Sequence, residues 1–172
     1  MNVAVTGAIG AGKSTAVRRA IDLMAPRRVG GLITAFAATP APRRVLMLRN
    51  RQGRERIAAR ERAAGGDPGA RFEVDLGAFD TFGVNQLEQA ADRDLALIDE
   101  LGVLEQGAAR YAAAVAGLWV RHGRVLVVVQ QRALDLWRPI LDAAPYELLE
   151  LRPGNRDALP ALIRSSMARA SR

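Results

Sequence analysis

Near the start of the chain, nine residues separate two segments of different periodicity. Asn2-Val3-Ala4-Val5-Thr6 is a short apolar run that reads as a buried strand. From Ala16 to Met24, Val17, Ala20, Ile21 and Met24 recur at helical spacing. Between them lies Gly7-Ala8-Ile9-Gly10-Ala11-Gly12-Lys13-Ser14-Thr15, which fits G-x-x-x-x-G-K-[ST]. Strand, glycine-rich turn and helix in this order constrain the chain to an α/β fold that binds an anion at the turn. Glycines let backbone N–H groups curl around a polyphosphate, and the new helix adds its unpaired amides and the positive end of its dipole. Lys13 is placed to reach the β- and γ-phosphates, and the Ser14 hydroxyl to ligate Mg²⁺.

Composition sharpens the role of that lysine. The chain has 25 Lys and Arg residues, and Lys13 is its only lysine. An ammonium on a flexible stem fits a crowded phosphate cradle where a planar guanidinium does not.

At 172 residues the chain is expected to form one domain, residues 1–172. Hydrophobic content of 49% with 25% charge suits a globular protein with a core of its own. No apolar run approaches the roughly 20 residues of a membrane span, and Met1 leads directly into the first strand without space for a signal peptide. Zero cysteines exclude disulfides and thiolate metal sites, and the expected location is cytoplasmic. The formal charge of +7 is read as compositional bias rather than as a nucleic-acid footprint, because no aromatics are interleaved with the arginines.

After the first helix, Val29 to Phe36 reads as a strand, Thr39-Pro40-Ala41-Pro42 as a turn and Arg44 to Leu48 as a second strand. Together they resemble an inserted hairpin, with the whole insertion spanning about 29–71. Arg49 to Arg71 is polar and ends in Gly65-Gly66-Asp67-Pro68-Gly69. Within it Ile57-Ala58-Ala59 fits a third strand or a helical turn, and the rest a mobile flap. Phe72 to Leu76 alternates like a half-exposed strand, and Gly77 to Ala91 is helical, with Phe79, Phe82, Leu87 and Ala90 as core anchors.

A second informative stretch is Asp94-Leu95-Ala96-Leu97-Ile98-Asp99-Glu100. An apolar run ending in two acids delivers both carboxylates to the C-terminal edge of a buried strand, where open α/β sheets bind ligands. Asp99 would hold Mg²⁺ through water or the Ser14 hydroxyl, as a Walker B carboxylate does. Glu100 would orient or deprotonate an attacking water. Leu101 to Glu105 is an exit loop. Ala108 to Val120 is an alanine-rich helix capped near Gly123, and His122 at its end is a cap charge or a spectator.

Arg124 to Val129 carries the strongest parallel-strand signal and ends at Gln130-Gln131-Arg132. Those polar residues could sense a γ-phosphate, with Arg132 neutralising transition-state charge; an ordinary strand-to-helix turn fits equally well. Leu134 to Ala143 is a helix and Tyr146 to Leu151 the last strand. Asn155 or Asp157 is expected to cap a closing helix through Met167, and Ala168 to Arg172 to fray. Strands alternating with helices give an α/β domain with a largely parallel sheet.

Several of these segments together resemble the small nucleoside-triphosphatases related to the human cancer-related nucleoside-triphosphatase. They are Gly7 to Thr15, Gly30-Gly31-Leu32-Ile33-Thr34, Phe72-Glu73-Val74-Asp75-Leu76 with Phe79, Asp99-Glu100-Leu101-Gly102-Val103-Leu104-Glu105, and Asn155-Arg156-Asp157-Ala158-Leu159-Pro160. The resemblance implies a RecA-like P-loop NTPase fold: a mostly parallel sheet, helices on both faces and the inserted β-hairpin. It also implies slow Mg²⁺-dependent hydrolysis of ATP or another nucleoside triphosphate. Asn155 is placed near the nucleobase only by this resemblance and by its position after the last strand. Two departures stand out. Ala35-Phe36-Ala37 replaces the family's usual Glu-Val-Arg, and Val103 replaces the lysine of its "GKME".

The leading expectation is therefore a nucleoside-triphosphate hydrolase with Lys13, Glu100 and Arg132 in the chemistry and Ser14 and Asp99 on the metal. Gly7, Ala8, Ile9, Gly10, Ala11, Gly12, Lys13, Ser14, Thr15 and Asn155 are the expected nucleotide contacts. The alternatives are a nucleotide or small-metabolite kinase, and a nucleotide-gated binding module with slow turnover. A monomer or weak oligomer is expected, with a protein partner left open.

Overall fold

In the computed structural model, which describes residues 1–37, 43–62 and 71–169, the alternating pattern folds into one eight-stranded sheet. The strands are β1 (Asn2–Gly7), β2 (Val29–Phe36), β3 (Val45–Arg49), β4 (Glu55–Glu61), β5 (Phe72–Val74), β6 (Leu95–Leu101), β7 (Val125–Val129) and β8 (Tyr146–Leu151). Their order is β5-β4-β3-β2-β6-β7-β1-β8. From β2 to β8 every pairing is parallel, whereas β2, β3, β4 and β5 pair antiparallel in succession.

Period-2 alternation in the central strands sends side chains to both faces, and each face is covered. Val3, Val5, Leu95, Leu97, Leu126 and Val128 pack on the helices α1 (Lys13–Met24) and α6 (Leu159–Ala168). Ala4, Ala96, Ile98, Val125, Val127 and Val129 pack with residues of α3 (Val84–Ala90), α4 (Ala109–His122) and α5 (Leu134–Leu141) on the other face. The short α2 (Leu76–Ala78) reaches α3 through a π-helical turn, Phe79–Gly83. There the Asp80 carboxylate accepts the Tyr111 N–H at 2.9 Å and ties the turn to α4. Each fully buried Val, Leu or Ile contributes roughly 1.5–3 kcal/mol, so the two apolar layers hold the sheet edges in fixed relation.

The insertion is more than a hairpin. β2 belongs to the parallel sheet through β6 and starts an antiparallel meander through β3, β4 and β5. Arg49 to Arg71 is therefore not one flap, since Glu55–Glu61 is a strand with Ile57-Ala58-Ala59 inside it. Its Ala58 and Ala59 are buried while Glu55, Arg56 and Arg60 face solvent, a balance that hid the strand among polar residues. The expected turn at Thr39 to Pro42 and the segment Gly65 to Gly69 lie outside the described residues.

Further details differ. β5 stops at Val74 because the Asp75 side chain accepts the Ala78 N–H at 3.1 Å and caps α2. Neither Asn155 nor Asp157 caps the closing helix; α6 starts after Ala158 with Pro160 in its first turn. His122 is engaged, with its Nε2 2.8 Å from the Arg93 carbonyl, while Gly123 at φ 71° supplies the left-handed cap of α4. Of the tail, Ala168 closes α6 and residues 170–172 lie outside the described part. Among the described residues no helix is long and apolar enough to cross a membrane.

Candidate active site

Parallel pairing puts the C-terminal ends of β1, β6 and β7 side by side, and the chemistry-bearing residues gather there. Gly10 at φ 76° and Gly12 at φ 101° adopt left-handed backbone between β1 and α1, which residues with a Cβ avoid. Gly12 stands at the N-cap of α1 with no side-chain cap, and the first turn of α1 carries no acid. The opening amides of that helix are thus left for an anion, with the helix dipole uncancelled.

Lys13 begins α1 and is buried, its Nζ donating to the Gly7 carbonyl at 2.9 Å and the Ala8 carbonyl at 3.0 Å. An ammonium has three donors, so one remains for a phosphate oxygen. The same Nζ lies 3.9 Å from Glu100 Oε1. One residue on, the exposed Ser14 donates through Oγ to Asp99 Oδ1 at 3.0 Å.

Both carboxylates reach α1 because β6 is irregular. Asp99 pairs with Val128 and Leu101 with Val129, which leaves Glu100 as an extra residue. In a regular strand consecutive side chains point to opposite faces; a bulge re-aims them. Asp99 is buried, and burial pushes its carboxyl up, opposed by the Ser14 hydroxyl and the charges of Arg18 and Lys13. Glu100 is half-buried, and burial raises it too; Lys13 opposes the rise, Asp99 adds to it, and Gln130 and Arg132 oppose it.

The donor set suits Mg²⁺. A hydroxyl and a carboxylate oxygen 3.0 Å apart are hard ligands beside a phosphate cradle, and Mg²⁺ takes few protein ligands and completes its shell with water and phosphate.

A family model described as NTPase matches residues 2–164 of the chain. This chain belongs to the NTPase family. Nucleoside-triphosphatase THEP1 of Methanosarcina acetivorans is 28% identical over 175 residues, covering 98% of both chains. The protein of the same name from Methanosarcina barkeri is 29% identical over 167 residues, covering 95% of both. The crystal structure of THEP1 from the hyperthermophile Aquifex aeolicus superposes with a TM-score of 0.78 at 23% identity, over 98% of this chain and 100% of that one. The solution structure of a human cancer-related nucleoside triphosphatase gives 0.78 at 20% identity, over 99% of each. These likenesses establish the P-loop NTPase fold, α/β with a mostly parallel core.

Against that NTPase frame, the remaining site residues divide. Lys13, Ser14, Asp99 and Glu100 come together. Gln130 follows β7 and favours the charged form of Glu100, while the exposed Arg132 donates through Nε to Gln130 Oε1 at 3.2 Å. Gln131 is exposed. Asn155 lies past the end of β8, which flanks β1 on the side away from β6. Its amide donates to the Glu150 carbonyl at 2.9 Å and accepts the Arg152 N–H at 2.8 Å, so it serves its own turn.

The two departures from the family pattern also have structural places. Phe36, within Ala35-Phe36-Ala37, stacks with Phe72 at 5.5 Å and lies under the Arg44 guanidinium at 3.7 Å. Val103 packs against the core formed with α4 and α5. A broad cleft of about 720 Å³ over β4 and β5 is lined by Arg56, Arg60 and Glu73 among others, and no phosphate-loop residue borders it.

One residue escaped the sequence reasoning. Glu105, in the exit loop after β6, is 2% exposed and accepts the Gly102 N–H. Burial and the nearby Glu100 push its carboxyl up to about 7, against hydrogen bonds from the Gly102 and Glu105 amides. The available signal was its place five residues past Glu100, in a segment short enough to fold back on the strand end.

Proposed function

We propose that this chain hydrolyses ATP or another nucleoside triphosphate to the diphosphate and phosphate in a Mg²⁺-dependent reaction at the Gly7–Thr15 loop. The observation that carries this reading is the pairing of Ser14 with Asp99 and of Lys13 with Glu100 at one sheet edge.

The loop amides and the Lys13 ammonium bind and orient the phosphates, removing the cost of bringing the reactants together. Ser14 and Asp99 would hold Mg²⁺, which when bound neutralises charge on the phosphate oxygens. Glu100 accepts a hydrogen bond from the attacking water and takes its proton. Partial burial makes it a stronger base than an exposed glutamate, while the Lys13 ammonium opposes that rise. Arg132, linked to Glu100 through Gln130, adds positive charge on the side of the departing phosphate. The Asn155 turn flanks the nucleotide from β8.

Phosphate release by the purified protein, compared with Glu100→Gln, tests the assignment. A loss of at least about 100-fold is expected, the usual contribution of a positioned general base. Equal rates in the two proteins would remove Glu100 from the mechanism. Transfer of labelled phosphate to a nucleoside or nucleoside monophosphate in place of water would make the chain a kinase. Very slow turnover with nucleotide-dependent capture of a partner would make it a gated binding module.

A further inference from the structure

We propose that Glu105 is a positioning residue for hydrolysis, setting Glu100 through the Gly102 peptide and the Gln130 side chain. The inference rests on the role given to Glu100 above and extends it to a residue that no phosphate ligand needs to touch.

Gly102 is fixed on both sides. Its N–H donates to the Glu105 carboxyl, and its carbonyl accepts the Trp137 indole N–H from α5 at 2.8 Å. Both sides of one loop residue are thus held by buried side chains from different parts of the chain. Glu105 and Trp137 are 2% and 3% exposed, so water does not compete for either bond.

Gly102 in turn is the floor for Gln130. A Cβ built on Gly102 would lie 2.8 Å from both Cδ and Nε2 of Gln130, a distance real side chains do not tolerate. The Gln130 amide therefore occupies the space a side chain at Gly102 would need, and the Gln130 backbone N–H donates to the Leu101 carbonyl at 2.8 Å. With Oε1 taken by Arg132, the Gln130 amide is left to favour the charged form of the Glu100 carboxyl two residues before Gly102. The chain of contacts runs Glu105, Gly102, Gln130, Glu100, and ends on the group that faces the attacking water. Glu100 is the extra residue where β6 pairs irregularly with β7, and a small misplacement of a reacting group costs far more in rate than in binding.

What Glu105 supplies is an acceptor rather than a charge. A neutral acid and a glutamine both present a carbonyl oxygen to Gly102, so Glu105→Gln keeps the clamp, whereas Glu105→Leu fills the space and leaves the amide unmet. Behind Glu105 the fully buried Tyr111, whose hydroxyl has no hydrogen-bond partner among the described residues, packs with Trp137 at 6.5 Å and closes the site to water.

The test compares wild type, Glu105→Leu, Glu105→Gln, Gly102→Ala, Glu100→Gln and Glu100→Gln/Glu105→Leu in steady-state phosphate release. Glu105→Leu is expected to lower kcat by about 10- to 100-fold with KM within about twofold, and Glu105→Gln to restore kcat to within about threefold of wild type. Gly102→Ala reaches the same result from the other end, by lifting Gln130 while Glu105 stays intact, and serves where Glu105→Leu does not fold. The double variant should be no slower than Glu100→Gln, because Glu105 acts only through Glu100. If Glu100→Gln is slow while Glu105→Leu and Gly102→Ala keep the wild-type kcat, the positioning role is wrong and the hydrolase reading stands. Further slowing in the double variant, or a KM that rises in step with the fall in kcat, also overturns it. If Glu100→Gln is as fast as wild type, the role of Glu100 fails and the positioning role with it.

Discussion

Ser14 Oγ donates to Asp99 Oδ1 at 3.0 Å, joining the first turn of α1 to the end of β6 across 85 residues. This bond ties the phosphate loop to the strand that carries the acids, and it places two hard oxygen ligands side by side. Asp99→Asn keeps an acceptor for Ser14 but removes the charge a cation needs. The expected outcome is a kcat at least about 100-fold lower and a higher Mg²⁺ requirement, with the melting temperature little changed. Mg²⁺ titrations of phosphate release on the two proteins check it. An unchanged Mg²⁺ dependence would take Asp99 off the metal.

Lys13 is expected to tolerate no basic substitute. Its ammonium is buried and fits between the Gly7 and Ala8 carbonyls, where the broader guanidinium of Lys13→Arg has no room. Lys13→Arg and Lys13→Ala should both weaken nucleotide binding by at least about tenfold, the scale of one lost charge-assisted hydrogen bond. Equilibrium titration with a fluorescent nucleotide analogue measures this. A Lys13→Arg protein that binds as wild type does would show that charge, not shape, is what the cradle reads.

Glu105 gives the fold a pH dependence of definite sign. Its carboxyl stands at about 7 in the folded protein against 4.5 when unfolded, so the folded state holds the proton more tightly. A raised acid pKa means stability is fully present below about pH 4.5 and is lost as pH rises through 7; the loss integrates to about 3 kcal/mol. The groups facing Glu105 are Glu100, which adds to this, and Tyr111, which stays neutral throughout. Glu105→Gln should therefore melt higher than wild type at pH 8 and close to it at pH 5. Thermal melts at the two pH values check this. A constant difference between the proteins would show that Glu105 does not titrate in this range.

How far the sequence reached follows from which forces were local. The central strands β1 and β7 were legible because both faces are buried, and the apolar runs at Val29–Phe36 and Tyr146–Leu151 also start and stop where the structure has them. The meeting of Lys13, Ser14, Asp99 and Glu100 was legible because a glycine-rich turn and a parallel strand ending in two acids deliver them to one edge of the sheet. β4 was not, because Glu55, Arg56 and Arg60 face water and leave only Ala58 and Ala59 as an apolar signal. Glu105 was missed for the converse reason. A glutamate in a loop reads as solvated, and only the fold shows Trp137 and Tyr111 closing over it. Asn155 was expected to cap α6, but its amide is drawn into the turn after β8, a choice local pattern does not distinguish.

Asn50 and Gln86 form a buried polar pair whose two halves are unequal. Asn50 Nδ2 donates to Gln86 Oε1 at 3.0 Å, with both residues under a tenth exposed. Asn50 Oδ1 also accepts the N–H groups of Gln52 at 3.0 Å and Arg54 at 2.9 Å, which shapes the β3–β4 turn. Register carries that turn toward the strand end that bears Asp99, since Asp99 pairs with Ile33 and Ile33 with Arg49. Gln86→Leu leaves one amide of Asn50 unmet, at a cost of about 1–3 kcal/mol. Asn50→Ala strips the acceptor from two backbone amides as well and should cost more, about 3 kcal/mol or above. Because Asn50 serves the backbone independently of Gln86, Asn50→Ala/Gln86→Leu should recover only the cost of the unmet Gln86 Oε1 and stay less stable than Gln86→Leu. Urea unfolding of the four proteins measures the differences. A double variant that regains the stability of Gln86→Leu would mean the turn does not depend on Asn50, and that the pair contributes only to the core.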